Sequence, residues 1–489
     1  MATEIKTLNP QSVWGYFYEL TQIPRPTGKM DEVAQFMIDF GKSLNLETEQ
    51  DEAGNVVVRK PATKGFEKRE IVVLQSHLDM VPQKNNSVTH DFLKDPIDAY
   101  VDGDWVKARG TTLGADNGIG VAMAMAVLAD KSLKHGPVEA LFTIDEEVGM
   151  DGANGLKSGF VNGKILLNCD SEEEGKLFVG CAGGADLNIS FKYKKGAPLI
   201  NGDVAMRLFL SGLKGGHSGI DISLGRANAN KLMFRFLKEV VRDYGARIAS
   251  IEGGSLRNAI PREAEAVIAL PKENVEFLWE LVADYQDLYR TEYAGIEDNI
   301  SFIAEMADAP FVLIPEEIQD DMINSIEACQ NGVITMLNDF PDTVESSSNL
   351  AQVKSSDGLI EVKILARSSS ESRKAYLLSS LESAFSLAGA RVEYGGAYNG
   401  WQPNAKSPVL KIMEDTYEKL YGRKPEVAVI HAGLECGIIQ GVYPDMDMIS
   451  FGPNLKHPHS PDEAVSISSV ERVWDYLKAT LENIPAKKN

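Results

Sequence analysis

His77 and Asp79 stand two positions apart at the end of a short apolar run, Ile71 to Leu74. In extended chain such positions point the same way, so an imidazole and a carboxylate emerge together. Asp116 lies in a glycine-rich stretch from Gly110 to Gly120. Glu146 and Glu147 follow the apolar run Val138 to Ile144, and Asp170 follows the run Lys164 to Asn168. His457 and His459 sit in a proline-containing segment near the C-terminus. These are oxygen and nitrogen donors without a thiolate, a set that suits zinc, manganese or cobalt in a catalytic setting. Two cations about 3.5–4 Å apart need a shared bridge, which one carboxylate can supply with an oxygen to each, and they raise the acidity of a water held between them. Of the adjacent Glu146 and Glu147, one can bind metal while its neighbour takes a proton from that water, a division suited to metal-assisted hydrolysis. Asp79 beside His77 suits an orienting role at the other imidazole nitrogen.

Positioning such a set falls to the elements that carry it. The apolar runs ending in His77, Glu146–Glu147 and Asp170 read as buried strands of a sheet, and a parallel α/β sheet places its functional groups beyond the carboxyl ends of its strands. Val121 to Ala129 is apolar all round and predicts a buried helix, with Asp116 near its N-terminus, where negative charge is favoured. Pro10 to Ile23 and Lys29 to Leu44 predict amphipathic helices, the second with Val33, Phe36, Met37 and Phe40 inward. After about residue 186 the texture changes. Strands and helices from Asp203 to Tyr289, and again from Gly332 to about Gly396, run in a similar order and predict two related α+β units. From Pro408 the first texture returns. The expected architecture is therefore a discontinuous α/β domain, residues 1–186 and 400–489, with a mixed sheet flanked by helices, interrupted by an α+β lid over 187–399.

The chain has 489 residues, 44% hydrophobic and 25% charged, ample for a large core. A formal net charge of −22 argues against nucleic acid and anionic membrane as partners. No window approaches the ~18 uninterrupted apolar residues of a membrane span, and the N-terminal stretch has no apolar signal core. Cys169, Cys181, Cys329 and Cys436 are widely spaced, which predicts thiols in a reducing cytoplasm rather than a disulfide framework.

Five stretches in order carry a resemblance: Ser-His77-Leu-Asp79-Met, Gly-Ala-Asp116-Asn-Gly, Asp-Glu146-Glu147-Val-Gly, Asn-Cys-Asp170 and Pro-His459-Ser-Pro-Asp-Glu463. Together they resemble the co-catalytic di-zinc exopeptidases, and the match spans nearly the whole chain. Within that superfamily, Ile23-Pro-Arg-Pro-Thr-Gly28, Gly215-Gly-His-Ser-Gly-Ile-Asp-Ile222 and His431-Ala-Gly-Leu-Glu-Cys-Gly437 are similar to the aminoacyl-histidine dipeptidases, also called Xaa-His or cytosolic non-specific dipeptidases. The resemblance implies two zinc ions, with manganese or cobalt able to substitute. It implies that Asp116 bridges them, that the peptide joining Asp116 to Asn117 is cis, that His77 and Asp170 complete one metal site, and that Glu147 and His459 complete the other. Glu146 would be the general base and then the acid, with Asp79 orienting His77. His217 would steady the oxyanion, while Asn258 and Arg367 would hold the substrate's terminal carboxylate. The implied activity is hydrolysis of dipeptides with a free N-terminus, including Xaa-His and β-alanyl-histidine, by a cytoplasmic enzyme whose partner is a small peptide. A homodimer is compatible with this, and His217 could then act within its own subunit or across the pair. Deacylation of N-acyl amino acids on the same site is the alternative.

Several residues carry plainer expectations. His90 and His135 lie in polar stretches and predict solvated side chains. The run Glu172 to Glu174 predicts a solvated charge cluster, although one of these glutamates could read a substrate ammonium. Cys436 predicts a packed thiol. His431 follows a buried strand and is equally compatible with a structural hydrogen bond and with a substrate pocket.

Overall fold

A computed structural model describes residues 2–310 and 312–487; residues 1, 311, 488 and 489 lie outside it. The chain divides into two compact units. The first comprises Met1–Gly180, Pro403–Val429 and Leu434–Asn489, the second Cys181–Gln402 and Ile430–Gly433. The borders thus fall at Gly180/Cys181 and Gln402/Pro403 rather than at 186/187 and 399/400. One short segment around His431 also goes to the second unit.

The first unit is built on an eight-stranded mixed sheet, in the order Glu47–Gln50, Val56–Lys60, Val138–Thr143, Val72–His77, Ile165–Asn168, Asp447–Ser450, Lys176–Cys181, Glu426–Ile430. The four strands from Val138–Thr143 to Asp447–Ser450 are mutually parallel. The first three of these are buried at every position, as largely apolar runs require when both faces are covered, and the one acid among them, Glu139, pairs with Arg59 at 3.2 Å. Ala115–Ala129 is a helix almost wholly buried, packed against Val72–His77 and against the helix Gln11–Thr21. Asp31–Ser43 is the second helix; Val33 and Met37 are buried, while Phe36 and Phe40 are only half-buried, Phe40 meeting Tyr16 edge to face. A separate four-stranded antiparallel sheet joins Leu455–Lys456, Ala464–Ser466, Trp105–Ala108 and Ala99–Asp102.

Beside a separate two-stranded sheet of Gly216–His217 and Ala259–Ile260, the second unit is built on a nine-stranded sheet, antiparallel at every recorded pairing. The two expected α+β repeats merge in it through a short seam in which Glu252 and Gly253 pair with Lys354 and Val353. The strands Gly183–Lys192 and Ser301–Met306 and the helix Glu316–Ala328 complete it; they had no counterpart in the sequence reading. Leu208, Phe234, Phe236, Ile268, Tyr289 and Phe385 are among the fully buried side chains of its core.

His135 is not solvated. It is fully buried, with Nδ1 2.6 Å from the Gly136 carbonyl and its backbone N–H donated to Thr63 Oγ1. A polar neighbourhood in sequence hid a loop folded onto the sheet edge. Glu174 likewise leaves the expected solvated run and binds the Arg472 guanidinium through both oxygens, at 2.7 and 2.5 Å.

Candidate active site

The parallel strands deliver their polar ends to one edge of the first unit's sheet. His77 is the last residue of Val72–His77, in register with Thr143, while Gln75 is in register with Asn168. Two strand ends, His77 and Thr143, therefore lie level, and the third, Asn168, stops two residues lower; Asp79, Glu146–Glu147 and Asp170 follow directly. Asp145 takes a left-handed conformation, φ 49°, and its Oδ1 accepts the Gly28 N–H at 2.6 Å. That turn redirects the chain so that the glutamate pair faces back to the strand ends. Asp116 enters from the first turn of Ala115–Ala129, where its own φ/ψ and those of Asn117 are non-helical and the peptide between them is cis.

His459 arrives by a different route. Ala464–Ser466 pairs with Trp105–Ala108, so the loop 457–463 is held beside the stretch leading to Asp116. Glu463 fastens the two. Its Oε2 accepts the backbone N–H of Leu113 at 2.7 Å and of Gly114 at 2.9 Å, and its Oε1 accepts those of Ala115 at 2.7 Å and Asp116 at 3.1 Å. Four consecutive amides closing on one carboxylate form an anion nest. Gly114 is left-handed there, φ 70°, and a Cβ on it would lie 2.6 Å from Arg25 Nη2, so both conformation and space demand glycine. Arg25 is itself buried and donates to the carbonyls of Leu78 at 2.9 Å, Asp79 at 3.2 Å and Gly114 at 2.5 Å. Glu463 and Arg25 were quoted in the sequence motifs without a role. A charged residue between two prolines, and an acid closing the His459 segment, were the available signals.

The resulting constellation is compact. His77 Nε2 lies 3.1 Å from Asp116 Oδ1 and 3.3 Å from Asp170 Oδ1. His459 Nε2 lies 3.1 Å from Asp116 Oδ2 and 2.9 Å from Glu147 Oε2. Asp116 thus presents one oxygen to each of two groups, His77–Asp116–Asp170 and Asp116–Glu147–His459; in each the ligand atoms lie within 4.8 Å of one another, as do those of His77, Glu146 and Glu147. His457 is exposed and takes no part in these groups. Asp79 Oδ1 stands 3.3 Å from His77 Nδ1, an attraction without good hydrogen-bond alignment. The better contacts of Asp79 are the backbone N–H groups of Glu146 at 3.0 Å and Glu147 at 3.1 Å, and the Thr27 hydroxyl at 2.9 Å.

Charge shapes the site strongly. Burial pushes the Asp79 carboxyl up, but His77 and the two amides outweigh it and hold it at about 2. Burial also opposes ionisation of Asp116, yet His459 and His77 keep it well below the usual carboxylate range. Burial lifts Asp170 to about 6 against the pull of His77. Burial, reinforced by Asp170, Glu435 and Glu147, raises Glu146 well above its ordinary value although His77 opposes. The hydrogen bonds to Asp116 and Glu147 raise His459 to about 11. Glu172, expected to be solvated, is largely buried beside Asp116 and Asp170, and its carboxyl is pushed up to about 7.

Carboxylates crowded in such excess over cationic side chains are costly unless cations join them. Glu147 Oε1 and Asp170 Oδ1 are shielded from water with no aligned donor. Ligand atoms around a tetrahedral zinc with bonds of about 2.0–2.1 Å lie roughly 3.3 Å apart, close to the 2.9–3.3 Å spacings here. The donor set fits two divalent cations.

The second unit groups other residues of the sequence reading. His217 Nδ1 accepts the N–H of Gly219 at 3.1 Å and of Ile220 at 3.0 Å, so the neutral ring carries its proton on Nε2. Burial, with Arg367 nearby, lowers His217 to about 4 and keeps it neutral. Arg367 is buried, donates to the Tyr398 hydroxyl at 2.7 Å, and has a shielded Nε with no acceptor among the described residues. His431 is buried with Nε2 2.7 Å from Ser347 Oγ. Asn258 is exposed, and its carbonyl accepts the Ser218 N–H at 2.8 Å.

An α/β sheet with a two-cation donor set at its strand ends, and a second unit inserted in the chain, defines a class of metallopeptidase. Residues 73–483 match the model of peptidase family M20/M25/M40, and the chain belongs to that family. Its close homologues are dipeptidases. The cytosol non-specific dipeptidase of Escherichia coli (strain K12) is 46% identical over 485 residues, which is 99% of this chain and 100% of that protein. The crystal structure of aminoacylhistidine dipeptidase from Vibrio alginolyticus is 46% identical and covers 100% of both chains, with a TM-score of 0.94. A Bacillus cereus aminopeptidase structure, 16% identical over 98% of this chain and 99% of its own, shares the fold with a TM-score of 0.58. No helix among the described residues is long and apolar enough to cross a membrane.

Proposed function

We propose that the chain is a cytoplasmic dipeptidase that hydrolyses dipeptides with a free N-terminus, Xaa-His and β-alanyl-histidine among them. The observation that carries the reading is the division of the Asp116 carboxylate, Oδ1 toward His77 and Oδ2 toward His459, with Glu146 beside both groups. His77, Asp116 and Asp170 would hold one zinc, and Asp116, Glu147 and His459 the other, with manganese or cobalt accepted by the same donors. Bound there, the ions supply Lewis acidity to the scissile carbonyl and make water a stronger acid.

Glu146 is the proton carrier. Burial raises its proton affinity, while two cations held beside it would favour the ionised form before attack, so it can take a proton from the attacking water and hold it until the leaving nitrogen receives it. The water oxygen bonds to the carbonyl carbon, the C–N bond breaks, and Glu146 returns the proton to the amine. Asp79 fixes Glu146 through its backbone N–H and His77 through Nδ1. His217, with Nε2–H as its free donor, suits an oxyanion. Arg367, buried with no carboxylate bonded to it among the described residues, suits the terminal carboxylate of the substrate, aided by Asn258.

A panel of dipeptides and N-acyl amino acids, assayed with zinc, manganese and cobalt, tests the reading. Turnover of dipeptides and poor turnover of N-acyl amino acids is expected; preferential deacylation would replace the dipeptidase assignment.

A further inference from the structure

Beneath the donor set lies a buried hydrogen-bond chain that the mechanism leaves unused. Glu435 begins the helix Glu435–Val442, where a carboxylate is favoured by the helix dipole. Its Oε2 accepts from Gln75 Nε2 at 2.6 Å and from Thr143 Oγ1 at 2.7 Å. Gln75 Oε1 in turn accepts from Asn168 Nδ2 at 2.6 Å, and Asn168 Oδ1 accepts from the Ser450 hydroxyl at 2.5 Å. Glu435, Gln75, Thr143, Asn168 and Ser450 are each 0% exposed.

The placement of these residues gives the chain its meaning. Gln75 precedes His77 by two residues, Thr143 precedes Glu146 by three, and Asn168 precedes Asp170 by two. One carboxylate therefore ties together the ends of the strands that deliver donors to both proposed cation sites. Fold stability alone does not call for this. Apolar residues of similar volume in place of a buried charged network are often neutral or stabilising. Glu435 Oε1, moreover, is shielded and has no hydrogen-bond donor among the described residues.

We propose that Glu435 is a positioning residue for the two-cation site, holding His77, Glu146–Glu147 and Asp170 at a common level through Gln75 and Thr143. The proposal rests on the two-cation reading above. Loss of an outer partner of this kind costs about 10–100-fold in metal affinity.

The test uses the full chain as parent, Glu435→Gln, Glu435→Leu and Thr143→Val. Chelator competition gives cation affinity, and the visible spectrum of the cobalt-loaded protein reports ligand geometry. Glu435→Gln keeps an oxygen that accepts from both donors, so it is expected to bind cobalt within about threefold of the parent with an unchanged spectrum. Glu435→Leu is expected to bind about 10–100-fold more weakly, with an altered spectrum and a fall in kcat larger than any change in KM. If Glu435→Leu does not fold, Thr143→Val decides, with a several-fold loss of affinity expected. Parental affinity and spectrum in Glu435→Leu, or in Thr143→Val when Leu does not fold, overturns the proposal. So does a Glu435→Gln protein as impaired as Glu435→Leu. A parent that binds two cobalt ions and cleaves no peptide would remove the dipeptidase reading and leave these affinity comparisons valid.

Discussion

The carboxylate of Asp79 accepts the backbone N–H of Glu146 at 3.0 Å. Asp79 therefore acts on both halves of the chemistry: one oxygen faces His77 and Glu146, and the other takes the Glu147 amide and the Thr27 hydroxyl. In Asp79→Asn one of these oxygens becomes an NH2 group aimed at a donor. We expect kcat to fall about 10–100-fold with the overall fold retained, by analogy with other partners of metal ligands. Circular dichroism and steady-state kinetics with a dipeptide check this; parental kcat would remove Asp79 from its role.

Glu463 predicts a different failure. Glu463→Gln leaves one oxygen for four amides and turns an NH2 toward two of them. Buried donors left unsatisfied cost about 1–3 kcal/mol each before water relieves them, so metal-free Glu463→Gln should be less stable than the parent by about 2–4 kcal/mol in urea. Glu173→Gln, at an exposed acid whose partner is the surface Lys176 at 2.8 Å, should change stability by less than about 1 kcal/mol.

Two histidines of the second unit, His217 and His431, have lowered values and should make it acid-sensitive, His431 being the more strongly shifted. Burial, and then the nearby Arg367, lower its value to about 3, while a backbone contact at Val344 opposes weakly. A histidine whose folded value lies below its ordinary one excludes a proton on folding. Its contribution is intact above about pH 6.5 and is lost as pH falls toward 3. Between pH 7 and pH 5 that loss amounts to about 2 kcal/mol. Metal-free His431→Asn should lose less stability than the parent over this interval in denaturant titrations; identical slopes would show that His431 does not set the acid limit.

The sequence made one part of this site readable and hid another, for a physical reason. His77, Glu146–Glu147 and Asp170 follow largely apolar strands, and the carboxyl ends of parallel strands share one edge of the sheet, so local pattern predicted that they would meet. The level of the strand ends, fixed by pairs such as His77 with Thr143, depends on register between distant segments and left no local trace. Glu463 acts on backbone amides, which look the same in any sequence. Glu435 lies hundreds of positions from Gln75 and Thr143. In the second unit, Gly183–Lys192 was missed because its glycines and asparagine dilute the strand pattern, and tertiary pairing on both sides supplies the order instead. His135 was misread because burial depends on what a loop folds against.

The account stands most directly on Glu146. With Glu146→Gln, cation content should remain two per chain, because His77, Asp116, Glu147, Asp170 and His459 are untouched. Turnover of a dipeptide such as β-alanyl-histidine should fall by about 10²–10⁴-fold, the usual worth of a positioned proton carrier. The measurement is kcat together with metal content on the same preparation. Retained metal with lost turnover is the predicted result; parental kcat in Glu146→Gln would contradict the account.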